Sequence, residues 1–288
     1  RVRSSAASDV YKRQVYTGIF VAGAIASHIV AAYTPARFTI DVLQPLAVAT
    51  NWGAFGALTF GILAATLALA YLPYRSMLRQ PPALAVTLLA AAASLVAALF
   101  FTPLFSSDVY AYAAYGEMAR LGLDPYVHHA LPANDAIFTA AQWQWNPMIP
   151  VCVYGELFVA IARAIATLFA FAPVVVHLDA LRVLAMFAFI GTIALAYTIP
   201  RDEARKRFVA AFIGCNPVLI WSVAEGHNDA LMALAVVAAA ALLARAPLAA
   251  IALAACGALV KMPAMLATAV AGYRAYVAGE RRALVATV

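Results

Sequence analysis

The chain has 288 residues, of which 66% are hydrophobic and 11% charged, with a formal net charge of +6. Soluble domains carry about a quarter charged residues, so composition excludes an ordinary water-surfaced globule. A mean hydropathy of +0.88 makes lipid the main solvent, and the basic excess gathers at the ends of apolar runs, as an orientation signal does and a nucleic-acid-binding face does not.

Residues 1–14 stand apart. The run Asp9-Val10-Tyr11-Lys12-Arg13-Gln14 reads as the translation of a transposon-derived sequencing adapter, so 1–14 is expected to be a library scar and 15–288 the membrane domain. The apolar pattern is cut at Val288, so further chain is expected beyond it. Apolar runs at 15–33, 52–72 and 83–101 read as the first three spans, parted by Pro35, Asn51, Pro73, Pro81 and Pro82. Arg75 and Arg79 place the second loop in the cytoplasm. The third run then carries the chain outward to a polar loop, 106–146.

Beyond that loop, parity decides the path. The stretch 157–171 would be about 22 Å long as a helix, short of a hydrocarbon core of about 30 Å, and it carries Arg163. It is expected to lie along the outer interface. The stretch 180–200 is the crossing that returns the chain to the basic cluster Arg201, Arg205, Lys206 and Arg207. Runs 208–224, 230–243, 248–260 and 264–277 follow, ending at Arg281 and Arg282. The expected fold class is all-α: a polytopic transmembrane helical bundle of about eight spans, with a large extracytoplasmic loop bearing interfacial helices.

The outer loop opens with an acid and several tyrosines. Ser106 can cap a helix over 107–121 that Gly122 and Pro125 stop, and on it Asp108, Tyr112 and Tyr115 share a face. A carboxylate there can serve as a general base, or it can only favour the helix N-terminus while the tyrosines form an interfacial belt. A second cluster, Glu225-Gly226-His227-Asn228-Asp229, falls on the same side. It can contact a sugar or phosphate, help hold a divalent cation, or simply turn the chain and cap the next helix. Lys261 can meet a phosphate or snorkel to the interface, and Arg163 and Arg182 are alternative phosphate partners. Asp124, Tyr126, His128 and His129 extend the loop, and Trp143, Trp145 and Tyr154 can stack on a ligand or anchor the interface. Cys152, Cys215 and Cys256 show no paired or metal-binding spacing, and no phosphate-binding glycine loop or serine-nucleophile elbow is present.

Several pieces taken together resemble a known group. They are Ser107-Asp108-Val109-Tyr110 with Tyr112 and Gly116, Gly122-Leu123-Asp124-Pro125-Tyr126, Tyr154-Gly155, Asn216-Pro217, Gly226-His227-Asn228-Asp229-Ala230 and Leu259-Val260-Lys261-Met262-Pro263. In this order they resemble the GT-C-type integral-membrane glycosyltransferases, especially the polyprenyl-phosphate-mannose-dependent alpha-mannosyltransferases of bacterial envelopes. The resemblance implies a lipid-linked sugar donor, an extracytoplasmic active site in a bacterial-type plasma membrane, and Asp108 as the catalytic base. Glu156 departs from the proline that related chains carry after Tyr-Gly, which bears on acceptor recognition.

The expected function is transfer of a hexose, mannose by the resemblance, from a polyprenyl phosphate to an envelope glycan or glycolipid, with inversion. Tyr112, Tyr115, Asp124, Tyr126, Tyr154, His227, Asn228, Asp229 and Lys261 are the expected substrate contacts. No nucleotide is needed, no metal ligand is assigned, and a divalent cation stays an option. The alternatives are a transporter or flippase for lipid or small solutes, whose polar residues would line a path through the bundle, and a catalytically silent scaffold.

Overall fold

A computed structural model describes residues 11, 14–26, 54–100, 106, 108–129, 135–144 and 148–277. Most of 1–14, residues 27–33 of the first apolar run, Pro35, Asn51, the starts and ends of the neighbouring runs, Ser107, Trp145, Arg281 and Arg282 lie outside the described residues, as does the side chain of Trp143.

Among the described residues all regular structure is helical, as the alanine- and leucine-rich runs require when no backbone group can be left to lipid. In chain order the helices are α1 (Gln14–Ala26), α2 (Ala54–Arg79), α3 (Leu84–Leu99), α4 (Asp108–Arg120), α5 (Ala136–Gln144) and α6 (Glu156–Leu168). Then come α7 (Val174–Thr198), α8 (Glu203–Gly214), α9 (Pro217–Ala224), α10 (Asp229–Leu242), α11 (Pro247–Val260) and, after a 3-10 turn at Met262–Ala264, α12 (Met265–Val277).

The span count differs from the sequence reading. Among the described residues two helices, the Phe60–Arg79 part of α2 and α7, are long and apolar enough to cross a membrane, with a third crossing if α8 and α9 form one bent span. The helices α3, α10 and α11 hold 16, 14 and 14 residues, about 21–24 Å of rise against a core of about 30 Å. The expected bundle of about eight crossings is therefore not confirmed: among the described residues the run 208–224 is divided between two helices, and the runs 230–243 and 248–260 form α10 and α11 but are short for the hydrocarbon core.

Three helix boundaries differ from the expected ones for clear reasons. The run 208–224 is broken where the Asn216 side chain accepts from the Val218 and Leu219 amides and Pro217 opens a new helix, bending the pair by 49°. The crossing expected at 180–200 starts earlier, at Val174 directly after Pro173, so His177, Asp179 and Arg182 are helical. Conversely, Pro73 does not end its helix: α2 runs on to Arg79, and the Tyr74 hydroxyl donates to the Phe212 carbonyl on α8 at 3.0 Å.

Two apolar clusters organise the interior. One joins α1, α2, α3, α7, α8 and α9 through Tyr16, Phe20, Leu63, Leu95, Phe189, Ile193 and Ile220. The other surrounds α4, in which every residue from Val109 to Met118 is buried, against Ile137, Ile149, Phe158, Leu178 and Val260. The stretch 157–171, expected to be too short to cross, appears as α6, which turns Phe158, Val159, Ala162 and Ala166 inward and leaves Arg163 exposed. Its 13 residues are too few to span. Helix α4 is therefore enclosed from Val109 to Met118, with its first residue, Asp108, partly exposed.

Candidate active site

Asp108 is the first residue of α4, and its amide donates to Ser106 Oγ at 3.1 Å. That serine completes the start of the helix as expected, and the i, i+4 spacing then delivers Tyr112 beneath the carboxylate. The Tyr112 hydroxyl lies 3.3 Å from Asp108 Oδ2, 3.3 Å from Asn228 Oδ1 and 3.4 Å from the Tyr154 hydroxyl. A phenol has one proton, so it donates to one of these oxygens at a time, and the three residues share a single hydrogen-bonding hub. His227 Nδ1 lies 3.5 Å from the same Asp108 Oδ2, and its Nε2 is 3.9 Å from buried Glu225.

The turn that presents His227 and Asn228 is held from below. Gly226 has φ +85°, a left-handed conformation suited to glycine, and a Cβ there would press on Val109 and the Arg182 stem. Arg182 is 5% exposed; its guanidinium donates to the Ala224 carbonyl at the end of α9, to Ala98 at the end of α3 and to Asp179. A cation at two helix C-termini is favourably placed. This corrects its reading as a phosphate partner: the guanidinium is engaged in joining α3, α7 and α9. Arg163, the other alternative, points outward from α6.

The remaining wall is made by two distant segments. The Gly155 amide donates to the Val260 carbonyl at 3.2 Å, and a Cβ at Gly155 would strike the Leu259 carbonyl, so only glycine lets these strands of chain approach so closely. As a result the Lys261 ammonium stands 5.7 Å over the Tyr154 ring and 2.6 Å from Asp229 Oδ2. Tyr154 packs edge-on against Tyr112 and Phe158, with centroids 5.0 and 5.4 Å apart. An apolar cleft of about 480 Å³ begins beside this point, lined by Met232, Val236, Leu243, Pro263, Leu266 and Val270.

Burial is the main cause of the phenols' acidity changes. It holds Tyr112 far above the usual tyrosine range, with Tyr154 and Asp108 adding to the effect, and it pushes Tyr154 up to about 12. Both hydroxyls are neutral at physiological pH and available as donors. Asn228, 1% exposed, has no partner for its side-chain nitrogen among the described residues.

Asp108, Tyr112, Tyr154, His227, Asn228, Asp229 and Lys261 thus lie in one connected cluster. The other expected contacts make no described hydrogen bond or ion pair with it, although the Tyr115 ring lies 6.3 Å from the ring of Tyr154. The Tyr115 hydroxyl donates to the Pro150 carbonyl at 3.0 Å and holds the 148–155 loop onto α4. Asp124 accepts from the Tyr126 amide at 2.8 Å and forms a turn; no described hydrogen bond or ion pair of either residue reaches Asp108, His227 or Lys261. Among the described residues no group of three or more His, Cys, Asp or Glu side chains is arranged to hold a metal ion. Arg182 and Glu225 are both buried beside the site, and an arginine and a glutamate within apolar surroundings are in themselves a signal that each has a partner.

Comparison with known proteins follows the same line. Over 146 residues the chain is 34% identical to a probable alpha-(1->6)-mannopyranosyltransferase of Mycolicibacterium smegmatis, covering 46% of this chain and 24% of that protein. It is 33% identical over 149 residues to an alpha-(1->6)-mannopyranosyltransferase of Mycobacterium tuberculosis, covering 46% of this chain and 23% of the relative. An alpha-(1->6)-mannopyranosyltransferase A of Corynebacterium glutamicum is 30% identical over 143 residues, covering 49% and 28%. The matches span about a quarter of the length of these curated relatives. No solved structure gives a significant match. The family model described as the alpha-(1->6)-mannopyranosyltransferase N-terminal domain matches residues 15–277, and the chain belongs to that family.

Proposed function

We propose that the chain forms the catalytic part of a membrane mannosyltransferase that moves mannose from a polyprenyl phosphate to a glycan or glycolipid on the outer face. The observation that carries the reading is the convergence of Asp108 with Tyr112, Tyr154, His227 and Lys261 from four separate segments. A transporter path would need such residues along the middle of spans; here Asp108 and Asp229 begin helices, and Tyr154, His227 and Lys261 lie just outside helix ends.

In the proposed step an acceptor hydroxyl attacks the anomeric carbon of mannose. The new C–O bond forms as the bond from that carbon to the phosphate oxygen breaks, with inversion, and its electron pair leaves with polyprenyl phosphate. Asp108 takes the acceptor proton. Its side chain is 28% exposed, so a substrate can reach it, while Tyr112 and His227 on Oδ2 fix the carboxylate's orientation. Lys261 stabilises the phosphate charge that develops as the bond breaks. The apolar cleft beginning at Met232 and Pro263 suits the isoprenoid tail, one helical turn or less in sequence from Asp229 and Lys261.

Membranes from cells expressing the protein, offered labelled polyprenyl-phosphate mannose or a nucleotide-linked mannose, test the donor. Label should reach envelope glycan from the lipid-linked sugar with nucleotide synthesis blocked. Transfer only from the nucleotide sugar would overturn the reading.

A further inference from the structure

Lys261 is not an isolated ammonium waiting for an anion. Its Nζ is 2.6 Å from Asp229 Oδ2, a residue 32 positions away in sequence, and the two side chains are 27% and 46% exposed. Asp229 opens α10, where a carboxylate is favoured by the helix dipole without any lysine. The pair is also within reach of solvent, so a ligand can enter between its members. Lysine suits such an exchange: it is a point charge on a flexible stem, able to hand its donors from one anion to another.

The charges of the ligands differ in the direction that matters. A sugar-bearing polyprenyl phosphate is a phosphodiester with one negative charge. The released polyprenyl phosphate is a monoester, and a monoester carries about −1.5 to −2 at neutral pH. A site made of lysine alone would hold the product more tightly than the donor and would stall after each transfer. A carboxylate beside that lysine repels the product more than the donor, because repulsion scales with the ligand's charge.

Resting on the proposed function, we infer that Asp229 is a product-release residue: it yields Lys261 to the donor phosphate and takes it back as polyprenyl phosphate departs. The role is a positioning one, exerted on Lys261, and involves no bond making. Tyr154 keeps the ammonium in place during the exchange through its ring face, 5.7 Å from Nζ.

The test uses polyprenyl phosphate itself as an inhibitor of transfer in membranes. Asp229→Asn should bind this product about fivefold more tightly, the scale set by a partly exposed ion pair, while the donor KM falls less and kcat drops because release becomes slow. A folding defect would weaken inhibition, so tighter inhibition cannot come from damage. Asp229→Ser, which retains an oxygen suited to a helix start, should tighten product inhibition in the same direction if the asparagine variant folds poorly. In a Lys261→Met background the Asp229 substitution should have no further effect on inhibition. Unchanged or weaker inhibition in a folded Asp229 variant overturns the inference while leaving the transferase reading intact. A wild-type protein that transfers no mannose overturns both.

Discussion

Replacing Arg182 by methionine keeps much of the stem that packs under Gly226 and removes the guanidinium. The Ala224 and Ala98 carbonyls lose a charged donor in a buried setting, and Asp179 loses its ion pair. A buried acceptor that loses its charged donor costs about 1–3 kcal/mol, with Ala98 at the low end because it also accepts from a backbone amide at the end of α3. The Asp179 side chain is 50% exposed, so that pair adds at most about 1 kcal/mol. Methionine restores some apolar contact, giving an expected net loss of about 2–4 kcal/mol. Arg182→Lys, able to reach one carbonyl at most, should lose about half as much. Denaturant unfolding in mild detergent, followed by tryptophan fluorescence, measures the difference through the shift in midpoint at unchanged slope. A loss below about 1 kcal/mol for the methionine variant would show that the guanidinium does not join the three helices as described.

Three further outcomes follow from the geometry. Gly155→Ala should separate Tyr154 from Lys261, because its Cβ meets the Leu259 carbonyl; a stability loss of about 1–3 kcal/mol and a raised donor KM are expected in unfolding and transfer assays. Tyr112→Phe keeps the packing against Phe158 but removes the hub hydroxyl, so kcat should fall about tenfold with the fold retained, read by transfer kinetics beside a thermal melt. Tyr154 has its phenol pushed up to about 12 from an ordinary value of about 10. The unfolded chain therefore releases this proton first, and stability from Tyr154 is full below pH 10, falls as pH rises from about 10 to about 12, and changes no further above that. Tyr154→Phe should flatten part of the alkaline loss when unfolding is compared at pH 9 and pH 11, after the background from other groups is subtracted.

Local chemistry made some of this legible in the sequence. Ser106 and Gly122 bracket α4 to within one residue at each end of the expected 107–121, and the i, i+4 spacing put Tyr112 under Asp108. The same short-range logic placed α6 correctly as too short to span. What escaped it depends on contacts between distant segments. Nothing near Lys261 announces Asp229, and nothing near Tyr115 announces the Pro150 carbonyl that takes its hydroxyl. Arg182 looks like a spare cation until α3 and α9 bring their carboxyl ends to it. The count of about eight spans is not confirmed for a different reason. Hydropathy averages over Asn216 and Pro217, whose capping geometry splits one apolar run into two bent helices, whereas Pro73 resembles a stop that the helix passes through.

The central claim is that Asp108 takes the proton from the acceptor hydroxyl. Asp108→Asn keeps the side chain's shape and the Tyr112 contact but removes the base, so single-turnover transfer of labelled mannose should fall at least about a hundredfold, the low end for general-base catalysis, with donor binding unchanged. Transfer by the asparagine variant at the wild-type rate would contradict the account.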